Sequence, residues 1–276
     1  MNMKKMLREA FPFFIGVPAL VWQTLFFYVP LFFVIFMAFR SFSFASFAPF
    51  FASIYGAVIV RTLILAMGTA CTCLLIAYPV AYWIAFNGKR WKNVLLFFLF
   101  IPFWTNFLLH VYAWMFVLER GGVINLLLQN IGIISEPLRL LNSLFAVGLI
   151  MVYCYLPFMI LPIYTSLEKF DYRFMEASSD LGGTWWQTVW RIIIPSSWPG
   201  IRSGFFLVFV PAFGEFVIPE LVGGDKIVFV GNIVTHYTLS ANTASLGAAF
   251  TILTSLVLLS VVALLYVFER KIFTRS

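Results

Sequence analysis

The sequence predicts an all-α integral membrane protein that crosses the bilayer six times. Hydrophobic residues make up 62% of its 276 positions and charged residues 11%, against about 45–50% and 25% in ordinary soluble domains. Such a chain can hide its apolar side chains only by using the bilayer as the apolar phase. Those side chains gather into six runs of the length a helix needs to cross the hydrocarbon core, about 20 residues. Basic residues are plentiful in every second connecting segment and sparse in the others, the asymmetry that orients membrane proteins. No polar stretch is long enough to form a soluble domain, so residues 1–276 read as a single transmembrane domain.

The first run is Phe13–Phe39. Lys4, Lys5 and Arg8 precede it as in a secretory signal, but the run far exceeds a signal core of about 7–15 residues, which predicts an uncleaved anchor. Thr62–Phe86 follows, closed by Asn87-Gly88-Lys89-Arg90, and then Val94–Val117, followed by Gly121-Gly122. Leu144–Tyr164, Gly200–Ile218 and Leu246–Phe268 complete the set, with Gly182-Gly183 and Gly223-Gly224 punctuating the segments between them. Pro30, Pro79, Pro102, Pro157 and Pro211 lie inside these runs, where neighbouring helices can satisfy the carbonyls that proline leaves unpaired. Cys71 and Cys73, two apart, point to different sides of a helix, and no Cys/His spacing suits a metal.

Orientation follows from the basic residues. Lys4, Lys5, Arg8, Lys89, Arg90, Lys92, Lys169, Arg173, Arg191, Arg202, Arg270, Lys271 and Arg275 fall on one side; Arg40, Arg61, Arg120, Arg139 and Lys226 fall on the other. This bias of thirteen to five among the 18 Lys and Arg predicts that both termini face the cytoplasm. It also accounts for the net charge of +7 with no nucleic-acid partner.

The segment between the fourth and fifth runs, about 167–199, then lies in the cytoplasm. Asp171 is placed to cap a short helix from Tyr172 to Leu181, which Gly182 ends in a left-handed conformation. Thr184-x-x-Gln187 is a capping box that opens a second helix expected to run to Pro195. On that helix Trp186, Val189, Trp190 and Ile193 share one face, with Gln187 and Arg191 on another. The two helices and the glycine turn predict a compact knob.

Within it stand Glu176-Ala177-Ser178, three residues, Gly182, nine residues, then Ile192-Ile193-Ile194-Pro195. This resembles the coupling motif of binding-protein-dependent ABC importer permeases: EAA, three residues, G, nine residues, I-x-L-P. Ser178 and Ile194 are the two departures. The resemblance implies a type I importer permease in the bacterial inner membrane, whose loop docks on an ATPase subunit through Glu176, Ala177, Ser178, Asp180, Gly182, Ile192 and Pro195. It implies a second similar permease, two ATPase subunits and an extracytoplasmic binding protein as partners. The only Gly-Lys pair, Gly88-Lys89, lacks the other residues of a phosphate-binding loop. ATP-Mg is therefore expected in the partner ATPase, with no cofactor on this chain.

Three further stretches resemble permeases of spermidine/putrescine importers: Ala77 to Trp83, Ile101 to Asn106 and Gly214 to Gly224. Related permeases carry ferric iron, organophosphonates or other organic cations, and these remain alternative cargoes. A carboxylate with aromatic faces suits an alkyl-ammonium chain. Glu215, read as lying in the fifth span, is a candidate path residue, because acids inside spans face a pathway or a partner. Asn106, His110 and Trp114 recur every four residues in the third span, with Trp104 and Tyr112 adjacent, and Glu220 follows in a loop. The tryptophans can equally be interfacial anchors, His110 an interhelical hydrogen-bonder, and Glu215 a contact between permeases. An intramembrane enzyme would need HExxH, GxSxG or paired carboxylates within spans, none of which occurs. An ATP-independent carrier would be expected to show internal repeats and broken helices at midplane, and the sequence shows neither.

Overall fold

The computed structural model describes residues 16–39, 50, 53–224, 227–240 and 243–273. Residues 13–15 of the first expected span lie outside them, as do Lys4, Lys5, Arg8, Arg40, Lys226 and Arg275. The regular structure described is helical: α1 Gly16–Phe39, α2 Ser53–Asn87, α3 Lys92–Trp104, α4 Phe107–Leu118, α5 Val123–Asn130, α6 Leu144–Glu168, α7 Arg173–Asp180, α8 Trp185–Gly214, α9 Val217–Val222, α10 Val230–Leu239 and α11 Ala244–Phe273. Six stretches are long and apolar enough to cross a membrane: Gly16–Phe39, Ile54–Asn87, Phe107–Asn130, Leu144–Glu168, Trp185–Gly214 and Ala244–Lys271. The six expected spans are thus present, and two of them differ in construction.

The third is not the single helix expected over Val94–Val117. Thr105 is extended, with ψ 163°, and divides the run into α3 and α4. At 13 residues α3 is about 20 Å long, short of the roughly 30 Å hydrocarbon core. The apolar stretch continues instead through α4 and, past a turn at Glu119–Gly122, into α5. The break forms because Asn106 takes the N-cap position of α4, where its Oδ1 accepts the Leu108 N–H at 2.8 Å. Asparagine serves better there than inside a helix.

The fifth span departs at both ends. Helix α8 starts in the preceding loop at Trp185 and ends at Gly214, so the expected boundaries Gly200–Ile218 are displaced. Pro195 does not stop it. A π-helical turn over Val189–Ile193 lies just ahead of the proline, and such widened turns let a helix absorb an irregularity without breaking. At Glu215, with ψ 130°, the chain leaves the helix and restarts it as α9.

The chain divides into two compact units, Met1–Ser53 with Val234–Leu256, and Ile54–Ile233 with Val257–Ser276. In the first, Phe50 is buried with its ring 4.8 Å from that of Phe250 and 6.2 Å from that of Tyr237. In the second, α6 and α8 approach backbone to backbone. A Cβ on Gly200 would fall 2.3 Å from the Pro162 carbonyl, and one on Gly204 would fall 2.9 Å from Met159 Sδ. Two glycines four apart let helices touch this closely, which matters in lipid, where packing and not water exclusion drives association. Helix α2 turns the small residues Ala66, Ala70, Cys73, Ala77 and Ala81 inward. Cys73 donates to Val152 O on α6 at 3.7 Å, and the Tyr78 and Ser197 hydroxyls meet at 3.2 Å. Cys71 is exposed and Cys73 buried, on different sides as the spacing requires.

Candidate functional site

Two regions of the second unit hold the residues singled out in the sequence. They lie at opposite ends of α8, whose 30 residues span about 45 Å.

At the first end, α7 and the start of α8 form a hairpin. Asp171 Oδ1 accepts the Arg173 N–H at 3.0 Å to open α7. The helix closes with Gly182 at φ +74°. The Gly182 N–H donates to Ser179 O at 2.9 Å and the Gly183 N–H to Ser178 O at 2.8 Å, the pair of bonds that ends a helix with a left-handed glycine. Gly183 is needed for a separate reason: a Cβ there would meet Ser178 Oγ at 2.7 Å. The capping box forms as the sequence predicts. Thr184 Oγ1 accepts the Gln187 N–H at 3.4 Å, and Gln187 Oε1 accepts the Thr184 N–H at 2.9 Å.

The hairpin holds the motif residues in a definite order. Ser178, where the importer motif has alanine, brings its hydroxyl 2.8 Å from Thr188 Oγ1 and so ties α7 to α8. Glu176 and Asp180 lie on α7, Ile192 and Pro195 on α8, and Leu181 at the tip is 89% exposed. The single aromatic face expected on α8 does not form. Val189 and Ile193 are buried, in a stripe continued by Ser197, Ile201, Gly204 and Val208, whereas Trp186 and Trp190 are each 64% exposed. At the hairpin's base Lys92 donates to Glu168 Oε1 at 2.7 Å, and that hydrogen bond raises the lysine above its ordinary pKa.

At the other end of α8, several broken helices meet. Glu215 Oε1 accepts the N–H groups of Phe216, Val217 and Ile218 at 3.1, 2.9 and 3.4 Å, and so caps α9. Its Oε2 accepts the Tyr155 hydroxyl of α6 at 2.8 Å. Asn232 Nδ2 donates to Glu220 Oε2 at 2.6 Å and to Phe216 O at 3.4 Å. The Val230 N–H donates to Thr62 Oγ1 at 3.1 Å. Glu215 therefore stands just beyond the end of α8, and both its carboxylate oxygens are hydrogen-bonded within the fold.

The proposed third-span face is divided too. Asn106 caps α4, while His110 and Trp114 pack against the Tyr153 ring at 5.8 and 5.5 Å. His110 Nε2 lies 2.9 Å from Thr105 Oγ1. Trp104 packs edge-on against Phe97 at 5.4 Å and is otherwise exposed, and Tyr112 is exposed as well. A mainly apolar cavity of about 250 Å³ opens here, between His110, Thr105, Pro102, Tyr153, Cys154 and Pro157. Among the described residues, no group of three or more His, Cys, Asp or Glu is placed to hold a metal. Sequence reasoning missed Tyr153, Tyr155, Thr188 and Asn232. Tyrosines in an apolar run look like interfacial anchors, and only the fold puts these two beside His110 and Glu215.

Residues 77–274 match the family described as binding-protein-dependent transport system inner membrane component. The chain is 37% identical over 226 residues to the spermidine/putrescine transport system permease protein PotB of Haemophilus influenzae, covering 82% of this chain and 79% of that protein. To PotB of Escherichia coli it is 38% identical over 205 residues, 74% of each. In structure it is similar to a chain of the bacterial alginate ABC transporter crystallised with alginate pentasaccharide-bound periplasmic protein, with a TM-score of 0.78, 18% identity and 99% of both chains covered. That likeness concerns the fold alone.

Proposed function

The chain belongs to the family of binding-protein-dependent transport system inner membrane components, as a multi-pass permease subunit of an ABC importer and a transport component rather than an enzyme, and we propose that its cargo is a polyamine, spermidine or putrescine. The observation that carries the cargo is the 37% identity over 226 residues to a permease named for those two solutes. The chemistry of the cavity supports it. His110 and Tyr153 line it with aromatic faces at the break in the third span, Trp114 packs on Tyr153 beside it, and such faces attract alkyl-ammonium groups. Glu220 adds a carboxylate beyond the end of α8.

In this reading the permease pairs with a second, similar permease and with two ATPase subunits that hold ATP-Mg, and it receives cargo from an extracytoplasmic binding protein. Both termini and the α7–α8 hairpin face the cytoplasm. Glu176, Asp180 and the exposed Leu181 present the docking surface to the ATPase. The test is uptake by the complex reconstituted in vesicles with its own binding protein. Labelled putrescine or spermidine should accumulate only with ATP inside. Accumulation of ferric iron or an organophosphonate, with no polyamine uptake, would overturn the cargo and leave the permease in place.

A further inference from the structure

We propose that the Tyr155–Glu215 pair is a positioning joint, at which movement of the α7–α8 hairpin is passed to α6 and α9, and that Glu215 is not a counter-ion for the cargo. The inference rests on the permease reading and concerns how the established fold would move. Three features carry it.

First, α8 runs unbroken from the capping box at Thr184 to Gly214. A displacement of the hairpin therefore travels along a helix and is not lost in a loop. Second, the helix ends at Glu215, whose Oε1 receives three backbone N–H groups of α9 and whose Oε2 receives the Tyr155 hydroxyl. One side chain thus links the end of α8 to the start of α9 and to α6. Third, the joint leaves no slack. A Cβ on Gly231 of α10 would meet Glu215 O at 2.7 Å and Gly214 O at 2.9 Å. A carboxylate accepts through two oxygens, with about four lone-pair sites in all, and here both oxygens are engaged. An ammonium binding to Glu215 would have to compete with these bonds.

Two substitutions separate a joint from a counter-ion. Glu215→Gln removes the charge, yet its amide oxygen can still cap α9 and its amide N–H₂ can still donate to the Tyr155 oxygen. Tyr155→Phe keeps the charge and removes the link. In the reconstituted complex, putrescine uptake and binding-protein-stimulated ATP hydrolysis are measured together. Tyr155→Phe should lower uptake about tenfold, the scale of a lost hydrogen bond to a charged group, while hydrolysis persists, so that more ATP is consumed per putrescine moved. Glu215→Gln weakens these bonds without removing them and should lower uptake less than Tyr155→Phe does. Normal uptake by Tyr155→Phe, or a loss in Glu215→Gln at least as large, overturns the proposal.

Should Tyr155→Phe fail to assemble with the ATPase subunits, Glu215→Asp carries the same test. It keeps the charge but is too short to reach Tyr155 and the α9 amides together, so a joint predicts lost coupling and a counter-ion predicts near-normal uptake. If the unmutated complex moves no putrescine, the cargo assignment fails. The joint is then read from uptake of the ferric iron or organophosphonate that the complex does accumulate, and uptake unchanged in both Tyr155→Phe and Glu215→Asp overturns it.

Discussion

The hairpin at one end of α8 and the joint at the other both interrupt helices, yet opposite kinds of contact hold them. In the hairpin the partners are close in sequence: Asp171 with Arg173, Thr184 with Gln187, and Ser178 with Thr188, at separations of 2, 3 and 10 residues. At the joint, Tyr155 and Glu215 lie 60 residues apart, and Thr62 and Val230 lie 168 apart. The hairpin can take shape from its own chain, because caps and left-handed glycine turns need only near neighbours. The joint exists only once α2, α6, α8 and α10 have assembled. The hairpin is therefore a preformed part, whereas the joint is a product of the whole bundle.

Gly231 and Gly182 bring the contrast to single positions. Gly231→Val should have the largest effect, because its Cβ would strike the Glu215 and Gly214 carbonyls, backbone atoms that cannot swing aside. Loss of assembled permease is expected, read as the amount in the membrane that copurifies with the ATPase. Normal assembly would show that the joint yields easily and would undo its contrast with the hairpin. Gly182→Ala meets no neighbour within 4 Å but must hold φ +74°, a strain of about 1–2 kcal/mol for an L-residue. Normal insertion with uptake lowered about five- to tenfold is expected, with most of the loss recovered by Gly182→Asn, which tolerates that conformation. Equal uptake by the alanine and asparagine variants would remove backbone conformation as the cause. Thr188→Val should do least. It loses the bond to the Ser178 hydroxyl and the donation to Thr184 O, a change of about 1 kcal/mol. A small fall in thermal stability of the purified complex would register it, and a fall as large as that of Gly231→Val would mean that the hairpin is not autonomous.

The same division governs what could be read in advance. The hairpin was legible because Asp171, Gly182 and Thr184-x-x-Gln187 act on neighbours in sequence. The end of α8 at Glu215 was not legible, for the complementary reason. Apolar length marks where a helix can cross, but a polar residue in that stretch can either find a partner within an intact helix or break the helix and cap the next segment. Asn106 and Glu215 both took the second course. At Asn106 the residue type hints at this, since asparagine favours N-caps. At Glu215 only part of the environment is local: the α9 amides it caps are near neighbours, but the Tyr155 hydroxyl that completes it comes from another helix.

By itself the sequence determined the membrane class, the six apolar crossings and the α7–α8 hairpin. Burial in lipid and helix capping depend on composition and on residues a few positions apart, so they are written locally. Only the tertiary structure decided that α8 runs through Pro195 into the fifth span, that Val189 and Ile193 face inward while Trp186 and Trp190 face out, and that Glu215 closes a joint with Tyr155. Each of those outcomes turns on which helix comes to lie alongside, and in a chain apolar on nearly every face the choice of neighbour is made by close contacts such as Gly200 against Pro162 and Gly204 against Met159, not by the pattern of hydrophobicity.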